Sequence, residues 1–180
     1  MVDHAQSSGH SSHDMQMVPG ESSGKEYLKL VGIIVAITMI AWWLGISYGA
    51  SALNDWLRWF MGVFFVVFAS FKFVGYSMFA LMFSGYDIVA KRIKAYSYAY
   101  PFIELGLGGL YLFNLMPTAR DILTVIVMSV GTIGVAQEVA KRSGVHCACL
   151  GNIIKLPLGT VSLIEDVSMG LMALAMLLSH

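Results

Sequence analysis

Leu30-Val31-Gly32-Ile33-Ile34-Val35-Ala36-Ile37-Thr38-Met39-Ile40-Ala41-Trp42-Trp43-Leu44-Gly45-Ile46 is a run of seventeen residues without a charge. A lipid-spanning helix needs about 20 predominantly apolar residues, because each residue rises only about 1.5 Å. The run extends to about Tyr27 on one side and Tyr48 on the other, which is long enough. It is too long for a signal peptide, and acidic and polar residues precede it rather than a basic region. Similar blocks recur along the chain, so the whole sequence reads as membrane-embedded. Its 180 residues are 57% hydrophobic and 12% charged, with mean hydropathy +0.72. Soluble domains carry about 25% charge. Backbone in lipid must satisfy its own hydrogen bonds, so continuous apolar blocks mean helices, and a barrel would need alternation instead. The expected fold is all-α, a polytopic bundle of five transmembrane helices.

Working outward from that run, residues 1–26 are polar and rich in Ser, Gly and His. They lack the apolar residues for a core and are expected to be disordered. His4, His10, His13, Met15 and Met17 make this tail a candidate collector of Cu or Zn, or simply a solvated terminus. The extra N-terminal helix occupies 27–55. A second span is expected over about Trp56–Phe83, a third over Tyr98–Met116 with Pro101 near its start, a fourth over Ile122–Val139 and a fifth over Leu158–Leu178. Between the second and third, residues 85–97 hold Asp87, Lys91, Arg92 and Lys94 among Ile88, Val89 and Ile93. That pattern predicts a short amphipathic helix on the membrane surface. Gly106, Gly108 and Gly109, then Gly131 and Gly134, offer smooth faces for close helix packing.

Charge placement orients the bundle. Lys25, Lys29, Lys91, Arg92, Lys94, Lys141, Arg142 and Lys155 fall on one side of a five-span chain, against Arg58 and Arg120 on the other. The positive-inside bias places the N-terminus and the loop at 141–157 in the cytoplasm of an inner-membrane, multi-pass protein. The formal net charge of zero leaves no nucleic-acid footprint, and no nucleotide site is read. The expected partners are the bilayer and another protein.

Charges inside the spans are costly and need partners or a task. Lys72, Glu104, Glu138, Glu165 and Asp166 all fall, at about 1.5 Å per residue, in the half of the bilayer nearest the 141–157 loop. Lys72 and Glu104 are the expected ion pair, either fixing helix register or serving chemistry. Glu165 and Asp166 point about 100° apart, so they do not share one partner. Met169, Met172 and Met176 continue the Glu165 face, where thioethers pack adaptably or meet a soft metal. Met78 and Met82 read the same way.

The loop holds both cysteines, in Val145-His146-Cys147-Ala148-Cys149-Leu150-Gly151. A Cys-x-Cys disulfide needs a bent backbone and is strained, hence labile and exchange-active. Lys141, Arg142 and His146 would favour the thiolate. The same atoms, Cys147, Cys149 and His146, would hold a soft ion such as Cu(I), whereas Zn would want a fourth ligand. A soft metal ion is the one cofactor the residues suggest. Burial of two small residues without chemistry is the third option. A quinone-linked thiol oxidase relays electrons through two cysteine pairs, and this chain has one.

The block from about Arg58 to Leu112 resembles the DoxX-like membrane proteins, and more closely their methylamine-utilisation MauE branch. The carrying residues are Phe71-Lys72-Phe73, Pro101-Phe102-Ile103-Glu104-Leu105-Gly106 and Cys147-Ala148-Cys149-Leu150-Gly151. The likeness covers roughly 56–178, within an expected four-helix domain at 56–180, and leaves the first span and the tail outside. It implies a redox-associated four-helix membrane core. Cys147 and Cys149 would be the redox pair, with Lys72 and Glu104 as buried polar residues, in maturation of a disulfide-rich partner. Heavy-metal (Cu, Zn or Hg) binding and transfer, and a structural membrane subunit, are the alternatives. Whether the protein is an enzyme stays open.

Overall fold

A computed structural model describes residues 23–140 and 159–179. Side chains are described within 28–137, apart from Tyr86, and within 163–179. The described chain is all-helical. Its helices are α1 (Ser23–Ser47), α2 (Leu53–Val74), α3 (Tyr76–Tyr86), α4 (Lys94–Leu112), α5 (Pro117–Ala140) and α6 (Gly159–Leu178).

Three described helices are long and apolar enough to cross a membrane, over Leu28–Ser47, Leu53–Val74 and Pro117–Gln137. The expected count of five is therefore not reached by length and composition among the described residues. Two expectations are corrected. The single span over Trp56–Phe83 is broken at Gly75 into α2 and α3. The amphipathic surface helix over 85–97 is absent: residues 88–92 are turns, and α4 starts at Lys94 rather than Tyr98. Pro101 consequently lies inside α4, not in its first turn.

Consecutive long helices run antiparallel. Gly62 of α2 faces Leu112 of α4, and further along Val66 faces Gly108. A Cβ on Gly108 would lie 2.9 Å from Val66 Cγ2 and 3.2 Å from the Gly62 carbonyl oxygen. Burial against another helix gains little hydrophobic energy when the alternative is lipid, so close backbone approach and dispersion carry the seam. Gly106 and Gly109 face open space, so only Gly108 of that trio acts as a packing glycine. Helices α5 and α6 pair the same way, with Met128 against Gly170 and Gly131 against Asp166.

The main core joins Ile37 of α1, Phe64, Phe65 and Phe68 of α2, Leu107 and Tyr111 of α4, Met128 of α5, and Met169, Ala173 and Met176 of α6. Met169 and Met176 are thus packing residues, and Met172 lies partly buried against them. A second cluster, Phe79, Phe83, Ala90, Tyr100 and Val135, closes the other end, with Met82 and Leu163 against it. Met78 is exposed.

Candidate functional site

The second cluster roofs a buried polar group. Lys72, in the last turn of α2, is 2% exposed and ion-paired to Glu104 of α4. The antiparallel α2–α4 seam brings these two residues to one level. The Lys72 ammonium also lies 5.0 Å from the Tyr100 ring centroid and 5.6 Å from that of Phe79. Aromatic faces attract a desolvated cation, so the rings compensate part of its lost hydration. The Tyr100 hydroxyl donates to the Glu104 carboxylate one turn away.

Asp87 joins from the turn after α3 and has no exposed surface. Its Oδ1 accepts the N–H groups of Val89 (2.9 Å) and Ala90 (2.8 Å). This closes an Asx-type turn that folds the carboxyl inward. Burial pushes the Asp87 carboxyl above the ordinary carboxylate range, against the smaller pull of those two N–H groups and of Lys91. Asp166 joins from α6. Its Oδ2 lies 3.0 Å from where a Cβ on Gly131 would stand, a tight approach to α5. It interacts electrostatically with Lys72, Glu104 and Asp87. The Lys72–Glu104 ion pair of α2 and α4 therefore has two further carboxyls in its electrostatic neighbourhood, Asp166 of α6 and Asp87 of the turn after α3.

Three buried atoms here have no hydrogen-bond partner among the described residues: Glu104 Oε2, Asp87 Oδ2 and Ser97 Oγ. Ser97, Tyr100 and Glu104 share one face of α4 at spacings of three and seven. Pro101 has no N–H to give the Ser97 carbonyl four residues earlier.

A second polar group lies at the opposite end. Arg58 Nη1 donates to the carbonyls of Tyr111 (3.0 Å) and Leu112 (3.2 Å) at the end of α4. Arg120 pairs with Asp121 (3.2 Å), donates to Asn114 Oδ1 (2.8 Å) and lies over the Tyr111 ring. Tyr111 donates to Thr124 Oγ1 at 3.2 Å. These contacts tie the α4–α5 turn, where Asn114 and Met116 have φ of 51° and 43°.

Of the residues singled out in the sequence, Lys72 and Glu104 come together as an ion pair, and Asp166 acts on them electrostatically from α6. Glu165 is partly buried on α6 and has an interaction partner. His146, Cys147, Cys149, the 141–157 loop and the His/Met tail lie outside the described residues, as do the Glu138 side chain and residues 1–22. The loop's two flanks are described: α5 leaves and α6 enters at the Lys72 end, where Val135 and Leu163 pack on the Phe79–Tyr100 cluster. Among the described residues no trio of His, Cys, Asp or Glu is arranged to hold a metal ion. Sequence reasoning missed Asp87 and Ser97 as buried members. Asp87 stands two and three residues before its N–H donors, a spacing that could have flagged the turn.

A family model described as "Methylamine utilisation protein MauE" matches residues 50–179. No curated protein and no solved structure gave a match.

Proposed function

The chain belongs to the MauE family, and from that premise we propose that it is a membrane-embedded maturation factor of methylamine utilisation whose Cys147–Cys149 pair exchanges thiols with a partner protein. The observation that carries this reading is the extent of the family match, which runs through Cys147-Ala148-Cys149-Leu150-Gly151. The bundle is read as five passes, with the N-terminus and the cysteine loop in the cytoplasm, because exposed Lys91, Arg92 and Lys94 gather at the Lys72 end. The arginines of the other end, Arg58 and Arg120, are instead held by protein groups.

The exchange is balanced as follows. The Cys147 thiolate, favoured by His146 and nearby cations, attacks one sulfur of a partner disulfide and releases the other as a thiolate. Cys149, as thiolate, then attacks Cys147 and releases the partner's second sulfur. The partner ends as a dithiol and the pair as a disulfide. The small Cys-x-Cys ring favours the reverse step, so the pair suits reshuffling of partner bridges more than their net removal.

In the test, Cys149→Ser is expressed with the methylamine-dehydrogenase system and the membrane fraction is alkylated. A mixed disulfide through Cys147 is expected, together with loss of mature partner. Full maturation with Cys147→Ser/Cys149→Ser would end the proposal. Stoichiometric soft metal lost with both thiols would replace it with metal transfer. Thiol labelling in intact against broken cells reports the face on which the loop lies.

A further inference from the structure

Aromatic residues mark the membrane boundary at the Lys72 end. From Trp59 to Tyr76 the chain rises about 26 Å at about 1.5 Å per residue, close to the thickness of a bilayer's hydrocarbon core. Helix α3 is 11 residues long, too short to cross. One edge of it packs Phe79 and Phe83 against Tyr100, while Met78 and Leu81 are exposed. An apolar edge on so short a helix belongs in the boundary layer. On α4, Lys94, Tyr98, Phe102 and Leu105 follow at spacings of four, four and three, so they share a line along the helix. All four are exposed. The line grades inward from a cation, through a phenol, to hydrocarbon. Two aromatic residues border it. The Tyr76 ring lies edge-on to Tyr98 at 5.6 Å and the Phe73 ring edge-on to Phe102 at 4.9 Å. The Tyr76 hydroxyl donates to the Tyr98 carbonyl at 2.8 Å.

We propose that this line and the turn before it bind one anionic phospholipid of the leaflet at the Lys72 end, with its phosphate on Arg92 and Lys94 and an acyl chain along Tyr98, Phe102 and Leu105. Charge complementarity is the first argument. Lys91-Arg92-Ile93-Lys94 is an exposed run with three cations in four residues. Asp87, the one acidic residue between Gly75 and Glu104, is buried and turned inward onto the Val89 and Ala90 N–H groups. The turn therefore presents its cations outward and its carboxyl inward. Lys91 acts on Asp87, so the phosphate is assigned to the other two cations. Ile93, 57% exposed among them, suits a boundary layer and not open water. Depth is the second argument. Helical side chains lean toward the helix N-terminus, so Lys94 reaches the headgroup level while the Tyr98 ring stays at the boundary. The line then continues into hydrocarbon, where a soluble anion has no counterpart to place and an acyl chain does. The site rests on the chain's membrane embedding and not on the thiol reading.

In the test, the full chain is reconstituted in vesicles of equal phosphatidylglycerol and phosphatidylcholine, and the lipids it retains are counted by native mass spectrometry. Retention of phosphatidylglycerol above its share is expected. Arg92→Gln and Lys94→Gln should each lower that preference about fivefold, and the double variant about 25-fold. Phe102→Ser, which interrupts the apolar line and leaves both cations, should lower it too. Lys29→Gln removes an exposed cation near the start of α1, at the same end, and should leave it unchanged, as should Cys147→Ser/Cys149→Ser. No preference for the anionic lipid overturns the site. An equal loss with Lys29→Gln also overturns it, since the attraction would then be that of the whole surface. So does displacement of the lipid by inorganic phosphate at matched ionic strength, which would make the turn a free-anion site. A co-purified protein lost with the same two substitutions, while the lipid ratio stays put, would overturn it as well.

Discussion

Replacing Lys72 by Met keeps the length and apolar stem of the side chain but removes the cation that Glu104 answers. The magnitude follows from what Glu104 can then do. A buried carboxylate without its partner costs about 3–5 kcal/mol. Protonation offers an escape, and its cost sets a ceiling. A glutamate with an ordinary value near 4.3 must take a proton at pH 7, which costs about 3.7 kcal/mol at about 1.36 kcal/mol per pH unit. The destabilisation of Lys72→Met should therefore approach about 3.7 kcal/mol at pH 7 and shrink by about 1.4 kcal/mol for each unit of acidification. Lys72→Met/Glu104→Leu should recover most of it, since an apolar pair of similar volume leaves no charge behind. The assay is reversible unfolding in mixed micelles, run from pH 7 to pH 5 on the single and double variants. A pH-independent loss would refute the reasoning, because the cost would then be packing. So would a double variant as unstable as the single one.

Other expectations rest on separate features. Gly108→Ala should cost about 1–3 kcal/mol, since its Cβ would press on Val66 and on the Gly62 carbonyl; Gly106→Ala, facing open space, should be neutral or slightly stabilising in the same unfolding assay. Asp87→Asn keeps an oxygen for the Val89 and Ala90 N–H groups. Because burial raises the folded-state value of Asp87, the folded chain binds the extra proton, and wild-type stability falls as pH rises from near 4 through that raised value. The variant should lack this loss, matching wild type at about pH 4 and equalling or exceeding it at pH 7 in pH-dependent melting. Arg58→Met should cost about 1–3 kcal/mol by leaving the Tyr111 and Leu112 carbonyls unpaired, measured as a lowered unfolding midpoint.

The long apolar runs and the level shared by Lys72 and Glu104 were legible in the sequence, because helix rise alone sets depth. The break at Gly75 was not. The residues on both sides, Phe73-Val74 and Tyr76-Ser77-Met78-Phe79, are as apolar as a continuous span, and hydropathy does not register a change of axis. Asp87 was misread for a related reason. Standing among Lys91, Arg92 and Lys94, it looks like one more solvated charge, and only the backbone bonds to Val89 and Ala90 turn it inward. Asp166 was visible as an acid within a span, but its neighbour lies 35 positions away at Gly131 of α5, which spacing along one helix does not reveal. The placement of the cysteines is a matter for the segment between α5 and α6, outside the described residues.

Helix α1 stands apart in one respect. Among the described residues its backbone comes close to that of α2 and of no other helix. The joint is a stack of Trp42 on Trp56, with Gly45 making room for the Trp56 ring. It also lies entirely before the stretch that the family model covers. A helix fastened along a single edge behaves as a module: it can be transplanted, exchanged or lost while the remaining helices keep their mutual order. A chimera with a foreign first helix would show how much of the bundle's stability this one seam carries.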